Sequence, residues 1–223
     1  MLKLHFIFAF LLSSLILVAQ PSDKLDVNAV NSSLSFEGKI DYIQKSISDT
    51  LHYTYFVKGR KVRVDFYEGK KTENSFLFDL DKQTIVALNS AEKTFMNMPV
   101  KPIQKIDEKD LTIIKSTNNK TINGYKCFQW RVKSKSQRTE VSYWVANDNF
   151  DFFEDFLRLW NRSEKLSLFF LQIPNNAGYF PMLSVEMSLL RDEKMRLAVV
   201  TVNKQKVDPN LFAIPKGYKS YNQ

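Results

Sequence analysis

Phe36-Glu37-Gly38-Lys39-Ile40-Asp41-Tyr42 decides the fold class. Phe36, Gly38, Ile40 and Tyr42 alternate with Glu37, Lys39 and Asp41, so a strand built from them turns one face to a core and the other to water. Leu51, Tyr53, Tyr55 and Val57 repeat the spacing. After the turn Lys58-Gly59-Arg60 it returns as Val62, Val64 and Phe66 against Lys61, Arg63 and Asp65. The two runs predict a β-hairpin. Further out come Phe76, Phe78 and Leu80, a turn at Asp81-Lys82, then Ile85, Val86 and Leu88. Thr94 to Met98 follows and Pro99 ends it. Turn signals this closely spaced specify an antiparallel meander and not βαβ units.

From Val100 to Asn119 the pattern weakens, Pro102 breaks it early, and a short helix or irregular link is expected. Strand character resumes at Tyr125 to Val132, with Phe128, Trp130 and Val132 on one face, and at Val141, Tyr143 and Val145. Two long runs, Met182 to Leu190 and Met195 to Val202, close the sheet around the charged turn Arg191-Asp192-Glu193-Lys194. One insertion, Asn149 to Ile173, breaks the rhythm. Phe153, Phe156, Leu157 and Trp160 stand at i, i+3, i+4 and i+7, the apolar face of a helix, with Asp148 as the expected N-cap. Phe169 and Phe170 belong to a second apolar cluster that Pro174 stops. Many one-sided strands and one strong helix to cover them predict a mainly β (α+β) chain. Its expected form is a curved, half-open antiparallel β-barrel wrapping one or two helices, and a two-sheet sandwich is the alternative.

The N-terminus reads as an export signal. Lys3 precedes an apolar run from Leu4 to Ala19, and Val18-Ala19-Gln20-Pro21 offers a cleavage site. The expected organisation is a signal peptide at 1–20, a flexible leader at 21–34, and one β-rich domain at 35–223 carrying the insertion at about 149–173. No cysteine follows the signal, so a lipid anchor is not expected, nor is a transmembrane span after cleavage. The expected location is periplasmic or secreted.

Composition narrows the chemistry. The formal charge is +8, but lysines and arginines are interleaved with acids, and the densest stretch, Lys58 to Lys61 with Arg63, falls at a turn. Nucleic acid is therefore not an expected partner. Cys127 is the one cysteine, on a strand, where a small buried apolar role is expected. His5 leaves with the signal and His52 lies on the face opposite Tyr53 and Tyr55. No zinc spacing, phosphate loop or nucleophile motif is present. Glu154 and Asp155 read as surface acids near a helix start. No catalytic residue, metal or cofactor is expected.

Three motifs occur in order: Lys120-Thr121-Ile122-Asn123-Gly124-Tyr125-Lys126-Cys127, then Tyr143-Trp144-Val145-Ala146, then Leu211-Phe212-Ala213-Ile214-Pro215-Lys216-Gly217-Tyr218. Together they resemble the DUF4412 family of exported bacterial proteins, common among Bacteroidetes and of unknown function. That family is similar in architecture to the lipoprotein-carrier superfamily, the LolA/LolB-like proteins, whose half-open barrels hold helices against a hydrophobic cavity. The resemblance implies the same architecture and a hydrophobic cargo. The expected function is a non-enzymatic, exported protein binding a lipid or lipoprotein acyl chain, with Phe153, Phe156, Leu157, Trp160, Phe169 and Phe170 as candidate cavity residues. The alternative is an envelope protein-interaction module with a filled core and an envelope protein as its partner.

Overall fold

A computed structural model describes residues 35–68, 71–103, 106–161 and 164–221. The expected signal peptide and leader lie outside the described residues. The N-terminal half supplies strands β1 (Glu37–Ser46), β2 (Thr50–Lys58), β3 (Lys61–Glu68), β4 (Lys71–Asp79), β5 (Thr84–Asn89) and β6 (Thr94–Met98). Next come β7 (Leu111–Ile122), β8 (Tyr125–Ser134) and β9 (Thr139–Asn147). Helices α1 (Phe152–Trp160) and α2 (Lys165–Phe170) precede β10 (Tyr179–Ser188), β11 (Glu193–Lys204) and β12 (Lys219–Ser220). All twelve strands join one sheet in the order β12-β6-β5-β4-β3-β2-β1-β11-β10-β9-β8-β7. β1 welds the halves by pairing antiparallel with both β2 and β11. The edges, β7 and β12, are not paired to each other, so the barrel is half open.

Ring contacts measure how far the sheet curls. On α1, Phe156 stands 4.9 Å from Phe78 of β4, and Phe153 stands 4.6 Å from Phe180 of β10. Five strand steps separate β4 from β10. Laid flat they would be about 24 Å apart, against about 10–12 Å for a helix with its side chains. One helix can touch both only inside a trough. The expected wrapped architecture is the observed one, and the sandwich is not.

The helix count falls within the expectation, and two local expectations, the α1 cap and the stretch before Asn119, change. The apolar insertion is two helices, because Asn161 takes a left-handed backbone (φ 47) and closes α1 with its N–H on the Leu157 carbonyl. Asp148 does not cap α1. That position falls to Asp151, with no side-chain cap bond, while the Asp148 carboxylate pairs with Lys204 at 2.5 Å. The weak stretch before Asn119 is mostly strand β7, entered through a 3-10 turn at Glu108–Asp110. Its period-two signal is broken by a register shift between Lys115 and Asn119, and as an edge strand it has little to bury. Lys115 holds this edge down: its Nζ lies 4.1 Å above the Trp130 ring and donates to the Pro174 carbonyl at 2.5 Å.

Two glycines answer to geometry. A Cβ at Gly38 would stand 2.3 Å from the Asn203 carbonyl oxygen and 3.1 Å from the Phe36 ring, so only glycine fits there. Asn123 (φ 51) and Gly124 (φ 80) make the β7–β8 turn, where two successive left-handed residues match the strand twist.

The 3-10 turn before β7 carries a pH signature. The Asp110 carboxylate accepts from the Ser134 hydroxyl, from the Ser136 hydroxyl at 2.7 Å and from the Ser136 amide at 2.9 Å. These bonds hold its pKa down at about 2, led by the Ser134 hydroxyl. A depressed folded pKa contributes stability that is complete above the unfolded value of about 3.9 and fades as pH falls toward 2. In a carboxyl-carbon NMR titration Asp110 is expected to titrate below the ordinary aspartate range, near 2. Ser134→Ala together with Ser136→Ala should return it to the ordinary range, and an unmoved midpoint would refute the assignment.

Candidate functional site

Both helices press their apolar side chains into the trough, and most of that space is solid. Phe156 and Phe169 are fully buried and Phe170 nearly so, at 0%, 0% and 1% exposure. Phe156 is ringed by Tyr55, Phe78 and Trp160 at 4.9–5.1 Å. Phe170 packs edge-on against Tyr143 at 5.5 Å and Phe153 at 5.3 Å. Such contacts cement the helices to the sheet.

A hollow of about 40 Å³ remains between the helices and strands β1, β2, β10 and β11. From the helices it is lined by Phe153, Leu157, Trp160, Leu166 and Ser167. From the sheet come Tyr42, Tyr53 and Tyr55, then Pro181, Ser184, Met195 and Leu197. Gln44 and Glu164 add polar groups. Three of the six candidate residues from the sequence, Phe153, Leu157 and Trp160, therefore stand on its wall. The other three, Phe156, Phe169 and Phe170, fill the core behind it. The tyrosines, Met195 and Leu197 were absent from the candidates, although the strand alternation that places them inward was the available signal.

Behind the lining, several buried polar groups are engaged. Tyr143 donates its hydroxyl to the Leu166 carbonyl at 2.9 Å, tying α2 to β9, and burial pushes its phenol well above the ordinary value. Burial does the same to Tyr42, whose ring stacks on Tyr53 at 5.1 Å. Lys165 reaches Glu186 of β10 at 3.4 Å, and Glu186 also lies 3.1 Å from the Thr139 hydroxyl. The lining is mainly aromatic and aliphatic, with Gln44, Glu164, Ser167 and Ser184 among it, and suits an aliphatic or aromatic group.

The remaining sequence candidates resolve simply. Cys127 is buried, and burial pushes its thiol up. His52 is exposed on the outer face. Glu154 pairs with Arg158 at 2.6 Å and Asp155 with Arg60 at 2.7 Å. In the basic stretch, Lys58 pairs with Glu37 at 2.7 Å, Arg60 also with Asp81 at 3.0 Å, and Arg63 with Asp65 at 2.6 Å. Among the described residues no three His, Cys, Asp or Glu side chains converge as a metal site, and no helix is long and apolar enough to cross a membrane.

The chain belongs to the DUF4412 family, a domain of unknown function, whose model matches residues 36–218. No curated protein matches it. Among solved structures the fold is shared with an uncharacterized conserved protein from Thermus thermophilus, at a TM-score of 0.53 and 12% identity over 88% of this chain and 96% of that one. Two likenesses are more distant. The Pseudomonas aeruginosa MucA/MucB complex matches at a TM-score of 0.48 and 10% identity over 84% of this chain and 59% of that one. A Vibrio parahaemolyticus domain described as a putative outer membrane lipoprotein-sorting protein matches at 0.32 and 9%, over 84% and 95%.

Proposed function

We propose that this DUF4412 protein is an exported, non-enzymatic binder of a single apolar chain, such as a lipid acyl chain, which enters the hollow between α1, α2 and strands β1, β2, β10 and β11. The observation that carries the reading is the apolar lining of a hollow beneath a helix pair. Burying a methylene is worth about 0.8 kcal/mol, so some ten of them would give about 8 kcal/mol before the cost of association. A 40 Å³ hollow does not hold ten methylenes. Binding therefore requires the half-buried Trp160 and Met195 to swing aside and extend the space toward the rim.

A plug tests it. Ser167 is only half buried and faces the hollow, so Ser167→Leu fills the space with few added atoms. The parent is expected to bind cis-parinaric acid and to release lipid on solvent extraction after recovery from the periplasm. The plugged variant should bind the probe at least about tenfold more weakly, a change of about 1.4 kcal/mol, with an unchanged unfolding midpoint. A parent that carries no lipid and ignores the probe would sink the reading. The second reading, a protein-interaction module, is favoured by the smallness of the hollow, and it expects that result.

A further inference from the structure

The two most exposed large apolar side chains among the described residues are Ile47 at 86% and Leu190 at 81%. They occupy neighbouring hairpin tips. Ile47 sits in the β1–β2 turn and Leu190 in the β10–β11 turn, and these strands are joined through the β1–β11 pairing that ends at Ser46 and Met195. Leu189, at 42%, and Leu51, at 38%, flank them. Single exposed apolar residues are ordinary, but a cluster on adjacent tips is not.

Both tips bond part of their own backbone. In the first, the Ser46 amide donates to the Asp49 carbonyl at 2.8 Å and the Asp49 amide to the Ser46 hydroxyl at 3.1 Å. In the second, the Leu190 and Asp192 amides donate to the Ser188 hydroxyl at 3.2 and 3.1 Å, while that hydroxyl donates to the Asp192 carboxylate at 2.9 Å. Each polar group bonded internally lowers the cost of taking a tip out of water. Lys45, Arg191, Lys194 and Arg196 surround the tips, and the adjoining β8–β9 turn adds Lys135 and Arg138. Arg196 is paired with Glu193 at 2.5 Å and Arg191 lies 3.6 Å from Glu140, and Asp49 and Asp192 keep their charge, so these six bases face four acids and a positive surplus remains. The hollow reaches this same rim through Gln44 and Met195.

We propose that the β1–β2 and β10–β11 tips dock on an anionic lipid bilayer, with Ile47, Leu189 and Leu190 entering the interface beneath a collar of basic side chains. The inference rests on the apolar-chain reading and gives it a source: the bilayer lies against the mouth through which a chain would pass. Projecting tips fit a bilayer better than a protein surface. A stable protein interface buries at least about 1,200 Å², which two hairpin ends do not offer, whereas an interfacial anchor needs only shallow insertion plus charge attraction.

The test is vesicle flotation of the chain recovered after export, with phosphatidylethanolamine–phosphatidylglycerol vesicles against phosphatidylcholine ones. The parent is expected to float with the anionic vesicles and to be released by high salt. Ile47→Asp combined with Leu190→Asp should lower the floating fraction about tenfold or more, with the unfolding midpoint and cis-parinaric acid binding unchanged. A parent that stays at the bottom of the gradient, or a double variant that floats equally well, overturns the docking proposal while leaving the hollow untouched. A parent dimer abolished by the same two substitutions would assign the tips to a second copy instead. Loss of probe binding in a parent that floats would separate the two readings the other way.

Discussion

Phe156→Ala is expected to cost about 3–5 kcal/mol of unfolding free energy, as full truncation of a buried phenylalanine does, and to lower the thermal midpoint by roughly 10 °C. Phe156 is 0% exposed and its ring meets Tyr55 of β2, Phe78 of β4 and Trp160 one turn along its own helix. Removing it opens a void that α1 cannot collapse into, because Phe153 and Phe180 pin the other end of the helix at 4.6 Å. The expected loss appears in the denaturant midpoint with an unchanged slope. Leu51→Ala is the control. Leu51 belongs to the same sheet but is 38% exposed, and its loss should stay within about 0.5 kcal/mol. Equal effects for the two would mean that α1 is not the element the sheet closes around.

That control marks what could be read from residues alone. The alternation from Phe36 to Phe66 placed Ile40, Tyr42, Tyr53, Tyr55, Val62 and Val64 inside, and each is buried. It also placed Leu51 inside, where it is not, because the first residues of β2 lie next to the turn at the trough's open rim. The helix face was legible because Phe153, Phe156, Leu157 and Trp160 keep helical spacing. Its end was signalled but went unread: asparagine takes left-handed backbone more readily than most residues, and Asn161 directly follows the last periodic position. β7 was illegible for a different reason: its register shift changes the phase midway, and period two requires a constant phase. The hollow was half legible. A helix face gives side chains that point into the trough, but which of them meet empty space and which meet Phe78, Tyr143 or Phe180 depends on strands distant in the chain. Phe156 and Trp160 share one stripe, yet only Trp160 reaches the hollow.

The second large effect lies on the convex face, where alternation predicted only solvated charges. Arg63 and Asp65 flank Val64 on β3, pair at 2.6 Å, and are 14% and 8% exposed at their side chains. They are covered because the chain after β11 crosses this face: the Val207 amide donates to Glu37 at 2.8 Å, and the Pro209–Phe212 turn packs over β3. Arg63 also donates to the Leu211 carbonyl at 3.0 Å and to the Ser75 hydroxyl at 3.1 Å. Arg63→Met leaves the Asp65 carboxylate covered without its cation, and the expected loss is about 3–5 kcal/mol. Adding Asp65→Val should restore most of it, since a buried pair exchanged for apolar groups of similar size is often close to neutral. The strap itself should behave otherwise. Amide exchange at Leu211 to Ala213 is expected to accelerate in both variants, because the bond to the Leu211 carbonyl is absent from each. Additive losses in the double-mutant cycle would show that the pair is solvated and that the strap does not seal it.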